Sequence, residues 1–105
     1  MNLELSDTGG TVTVSGKAVK YGMVYLTYNM KLNPSSTSQG SFTGTGMAIG
    51  DDGKRVAAIR NGMWKREGTS FTIHSLDDLS DGSQNLCKSV LDIASSEFEM
   101  TFYLM

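Results

Sequence analysis

The sequence predicts an all-β fold, a single antiparallel meander β-barrel of seven or eight strands, on three observations. From Gly40 to Leu76 the chain reads as three consecutive strands punctuated by glycine, with the only tryptophan and the only histidine inside them. Met23 to Leu32 alternates without a fault: Val24, Leu26, Tyr28, Met30 and Leu32 share one face, and the more polar residues share the other. That period of two over ten residues marks a half-buried strand. Twelve glycines against one proline suit strands joined by tight turns better than a helical bundle.

Taken in order, Thr11 to Val14 makes the first expected strand, with Gly9-Gly10 before it and Gly16 after. Met23 to Leu32 follows and ends at the polar, proline-containing stretch Asn33 to Ser38. In the next strand, Ser41 to Ile49, the residues Phe42, Gly44, Gly46 and Ala48 share a face of almost no side-chain volume. Such a row marks a sharp bend of the kind a small barrel needs at its corners, or else a place of close ligand approach. Asp52-Gly53 is expected to close a hairpin with positive φ at both residues, and Glu67-Gly68 to repeat the device. Between those turns, Ile59 and Trp64 are five apart and would face opposite ways. A β-bulge at Asn61-Gly62 would bring them together and turn Arg60 and Met63 to the other side; a hairpin turn at Asn61-Gly62 is the competing reading.

Phe71 to His74 is a short expected strand, and Asp77 to Ser83 an acidic loop. Leu86 to Ile93 is ambiguous, because Leu86, Cys87, Val90, Leu91 and Ala94 also fit a helix face. The strand reading is preferred, since Phe98 to Leu104 alternates cleanly and needs a neighbour in sequence to pair with. Tyr28, Phe42, Trp64, Phe71, Phe98 and Phe102 are the expected core, with Met23, Tyr25, Met47, Met63 and Tyr103 on the opposite face.

A chain of 105 residues has room for one core, so 1–105 is read as one domain. Its net charge of −2 is scattered, with no basic stripe to neutralise phosphates, so nucleic acid is not an expected partner. Cys87 stands alone, which removes an intrachain disulfide and a multi-cysteine metal site. No apolar run approaches the ~20 residues of a membrane helix, and the N-terminus lacks signal-peptide form. The expectation is a cytoplasmic protein without membrane contact; a chain already trimmed of a signal peptide reads the same way.

Candidate chemistry is sparse. His74, Ser75 and Asp77 invite a catalytic triad, but adjacent strand residues point to opposite faces and no nucleophile elbow surrounds any serine. The acidic run from Asp77 fails the calcium-loop pattern, having Leu79 at the third position and Lys88 at the twelfth. No catalytic residue, metal or cofactor is therefore assigned. Gly62-Met63-Trp64 resembles the Gly-x-Trp signature of lipocalins and related calycin barrels. There the motif lies on the first strand, whereas here it falls mid-chain. The resemblance implies a tryptophan plugging a barrel end, with Arg66 or Arg60 as a partner for the indole. The glycine-spaced strands also look like small barrels of the allene-oxide-cyclase type.

The function expected is binding of a small apolar or aromatic ligand in the barrel mouth, with Tyr25, Tyr28, Met47, Arg60, Trp64, His74 and Tyr103 as candidate ligand-binding residues. One alternative is an isomerase or cyclase in which His74 and Tyr25 handle protons; another is a self-associating structural module without a pocket. A homo-oligomer is expected in any case, because apolar residues occupy both strand faces around Met23–Tyr25 and Met47–Ile49.

Overall fold

The computed structural model describes residues 2–6, 9–18, 22–33, 35 and 38–104; for 2–6, 18 and 104 only the backbone is considered. Among these residues the chain forms eight strands: β1 (Asn2–Ser6), β2 (Gly9–Ala18), β3 (Gly22–Leu32), β4 (Gln39–Ile49), β5 (Arg55–Glu67), β6 (Ser70–Leu79), β7 (Gln84–Asp92) and β8 (Glu97–Leu104). They lie in one antiparallel sheet in sequence order. The architecture is the expected all-β meander. It is strongly curled, and it stops at a half-barrel, because β1 and β8 remain the two edges of the sheet.

Curling brings distant strands face to face. The Tyr28 hydroxyl on β3 meets the Ser89 hydroxyl on β7 at 3.4 Å, across the trough rather than along the sheet. The inward residues of every central strand fill that trough: Val12, Val14, Leu26, Tyr28, Met30, Phe42, Trp64, Phe71, Ile73 and Leu91 are all buried. Phe98 and Met100 on β8 pack against this core and are only half-buried.

Gly44 on β4 and Gly62 on β5 sit among close-packed backbone. Inward positions follow one another across the strands as Tyr28, Gly44, Arg60, Asp77 and Asn85. A Cβ added at Gly44 would overlap the Thr27 carbonyl oxygen, and one at Gly62 the His74 carbonyl oxygen. The backbones approach too closely there for any side chain. Large neighbours close over the gaps: Gly44 lies between Tyr28 and Arg60, and Gly62 between Phe42 and Ser75. Glycine serves here to let strands and large side chains approach closely.

The strand over 84–92 replaces the competing helix, and its pairing with β8 runs from Asp92↔Glu97 to Asn85↔Leu104. Other details differ from expectation. There is neither bulge nor turn at Asn61-Gly62: β5 keeps an unbroken register with β4 and with β6 throughout. Ile59 and Trp64 therefore do face opposite ways, at 68% and 6% exposure, and Arg60 turns inward with Trp64. At the β4–β5 turn only Gly53 takes positive φ, with Gly53 N–H donating to the Gly50 carbonyl at 2.9 Å; Asp52 does not take positive φ. The acidic run at Asp77 is not a loop at its start, since β6 continues through Leu79 and Asp77 is buried. β1 was not anticipated. The connection after Leu32 falls partly outside the described residues, at 34, 36 and 37.

Candidate functional site

Period two on β5 and β6 puts Arg60, Ser75 and Asp77 on the inner face, and the register sets Arg60 directly opposite Asp77. The result is a buried ion pair. Arg60 Nε–H donates to Asp77 Oδ1 at 2.9 Å, and the two side chains are 1% and 4% exposed. Ser75 completes it by accepting from Arg60 Nη2 at 3.0 Å and donating to the same carboxylate oxygen at 2.7 Å. The guanidinium carbon stands 4.8 Å from the Tyr28 ring centroid, reaching it over the empty position of Gly44. Two charges removed from water are costly unless paired and hydrogen-bonded. Here the serine hydroxyl, the carboxylate and the tyrosine face supply part of that compensation, through Arg60 Nε and Nη2, while Arg60 Nη1 is buried without a hydrogen-bond partner among the described residues.

The electrostatics of this cluster quiet it chemically. Burial pushes the Tyr28 hydroxyl above its usual pKa, with the charge of Arg60 pulling the other way. Burial likewise pushes the Cys87 thiol up, against the weaker opposing effects of Ser89 and Arg60. Arg60 is opposed by its own burial, which the fields of Tyr28 and Asp77 outweigh, so its charge is held more firmly than usual. A thiol and a phenol held in their neutral forms are poor nucleophiles and bases.

The cavity beside this cluster, walled by Arg60, Asp77, Met100, Phe102 and aliphatic side chains, measures about 40 Å³. That is space for about one or two waters, whereas an apolar cavity that takes benzene is nearer ~150 Å³. The cavity is too small for the ligand expected in a barrel mouth.

The larger concavity lies on the other face. The twist of the sheet leaves a groove of about 910 Å³ across the outer side of β2 to β6. Register explains its lining: Tyr25, Met47 and Ala57 stand in line across three strands, and Thr27, Thr45 and Ile59 form the next line. Small residues make its floor, and Tyr25, Met47 and Ile59 rise from it, exposed to water. Ser15, Ser80 and Asp78 supply its polar border.

The seven candidate residues thus divide. Tyr28, Arg60 and Trp64 are buried inside, while Tyr25, Met47, His74 and Tyr103 face outward. The structure brings together Tyr28 with Arg60, and Tyr25 with Met47. His74 lies across from Met63 and Lys88 and lines a separate groove with Lys31 and Lys65. Tyr103 stands opposite Leu86. Trp64 packs on Phe71 at a ring separation of 5.6 Å and donates its indole N–H to the Ser41 carbonyl at 3.0 Å. Arg66 stands over Phe71, not over the indole, and Phe102 lines the small cavity near Asp77. Sequence reasoning missed Asp77, Ser75 and Ser89 as interior polar groups and Ile59 as an exposed one. The available signal was parity: Phe71, Ile73, Ser75 and Asp77 alternate on one face without interruption. Comparison with protein families, with curated proteins and with solved structures finds no match to this chain.

Proposed function

We propose that this domain is a non-enzymatic binding module that takes a small apolar or aromatic group in the groove on its outer face. One observation carries the reading: Tyr25, Met47 and Ile59 stand exposed around a concavity of about 910 Å³, within the range of ligand pockets. A sheet face meant only for water carries no such cluster. Methionine and isoleucine supply apolar contact, tyrosine a flat face, and the surrounding hydroxyls a set of hydrogen-bonding groups. The calycin resemblance enters only as a likeness of build, a curled meander with a buried tryptophan. The proton-handling alternative loses its pairing, because His74 belongs to a different groove from Tyr25.

The test is titration with an environment-sensitive anilinonaphthalene dye. The unmodified protein should enhance its fluorescence saturably, and Met47→Ala and Ile59→Ser should each weaken binding by about tenfold. Both side chains are solvent-exposed, so the variants should keep the native circular dichroism spectrum. Undiminished binding by both folded variants would refute the groove as the site.

A further inference from the structure

We infer that the free edge of β8 is a self-association surface, on which a second copy of this chain adds its own β8 antiparallel about a two-fold axis at Met100. The oligomer expected from the sequence is thereby placed at a strand edge, separate from the groove. Three observations lead there. β8 pairs with β7 on one side and with no other strand among the described residues. Its inward residues Phe98, Met100 and Phe102 are half-buried, whereas Ile73 and Leu91 on the neighbouring strands are fully covered. Residues 100–104 carry no charge, proline or glycine, the devices that usually protect a sheet edge.

The distribution of charge along β8 selects the partner and the register. Both of its charges, Glu97 and Glu99, lie in its first half. Parallel pairing in register would set each glutamate against itself, and an antiparallel axis at Glu99 would do the same for that residue. An antiparallel axis at Met100 sets Glu99 opposite Thr101 and Glu97 opposite Tyr103. On the inner face it sets Phe98 opposite Phe102, an aromatic cross-strand pair formed twice. The strand is therefore complementary to itself reversed, which is the requirement of a two-fold interface. Each half-covered trough would gain a ninth strand, and the two sheets would run into one.

The register is tested by charge. Thr101→Glu places like charges opposite Glu99 twice in the dimer, and Thr101→Lys places opposite charges there twice. Within one chain the effects reverse, since Thr101 lies across from Lys88 on β7. Sedimentation equilibrium should show a dimer of the unmodified protein, about tenfold weaker association for Thr101→Glu, and tighter association for Thr101→Lys. The melting temperatures at concentrations where both variants are monomeric should fall in the opposite order. A monomeric mass for the unmodified protein at 100 µM, roughly a hundredfold above a micromolar Kd, would overturn the inference. So would assembly without limit, or equal effects of the two substitutions. Dye binding in the groove is read separately, so failure of either proposal leaves the other standing.

Discussion

Asp77→Ala should be among the most damaging single substitutions in this protein. It removes the acceptor of two buried hydrogen bonds, from Arg60 Nε at 2.9 Å and from Ser75 at 2.7 Å, and leaves a guanidinium 1% exposed without its counter-charge. Breaking a buried pair from one side costs about 3–5 kcal/mol. Against a total stability of roughly 5–15 kcal/mol, that is about a fifth or more of what holds a small domain folded. The melting temperature should fall by roughly 15 °C or more. Replacing both partners, as Arg60→Met with Asp77→Leu, removes the charges together and should cost within about 1 kcal/mol of nothing, or even stabilise. Urea denaturation followed by Trp64 fluorescence measures the parent, Arg60→Met, Asp77→Leu and the double variant as one cycle, with Asp77→Ala beside it. Trp64 reports well because it is packed on Phe71 and released on unfolding. Singles that cost less than about 1 kcal/mol, or a double variant that costs the sum of the singles, would refute the account of the pair as mutually dependent.

Gly44→Ala should destabilise by about 1–3 kcal/mol or more, because the added methyl meets the Thr27 carbonyl oxygen and the Tyr28–Arg60 contact crosses that position; a stability within 0.5 kcal/mol of the parent, roughly the ordinary surface effect, would show that the strands part easily. Asp92 caps the β7–β8 turn by accepting from Ala94 N–H at 2.9 Å, Ser95 N–H at 3.3 Å and the Thr69 hydroxyl at 3.1 Å. These donors, the backbone ones foremost, hold its carboxyl below the usual range, so its folded pKa lies under the unfolded value. The stabilisation is present above the ordinary carboxylate pKa and is lost as pH falls through the depressed one. Asp92→Ala should accordingly flatten the acid side of the stability profile, and an unchanged acid limb would count against the cap.

Much of the fold was legible because strands with one wet face write their orientation into the sequence. β3 alternates over its whole length, and β8 over most of its own, so the pattern alone identifies their inward faces. The strand over 84–92 followed from pairing logic rather than from its own pattern. Misreading centred on polar residues at inward positions. Arg60, Gly62 and Trp64 alternate on one face of β5, but placing Ile59 beside Trp64 as a second inward residue calls for a bulge that the strand does not have. On β6, reading the acidic run from Asp77 as a loop ends the strand too early. Either residue alone is an anomaly at an inward position; a base and an acid at inward positions of neighbouring strands explain each other. The groove was less accessible, since it depends on sheet twist and on Ala57 standing in line with Met47 and Tyr25, which only the register of three strands reveals.

The meander has a consequence for how the chain finds its fold. Among the described residues every strand pairs only with its neighbours in sequence, through turns as short as Gly68-Thr69. Each pairing therefore closes a small loop, and the entropy lost at each step is modest. A chain so wired can zip outward from any one hairpin, and it belongs to the faster side of all-β proteins. What cannot form locally is the curl. Tyr28 and Ser89 meet across 61 positions of sequence. That meeting requires β3 to β7 to be in place already, so rolling up the sheet is the event the local pairings prepare. At Gly44 and Gly62 the backbones of neighbouring strands lie too close for any side chain, so the rolled sheet depends on glycine at these two positions.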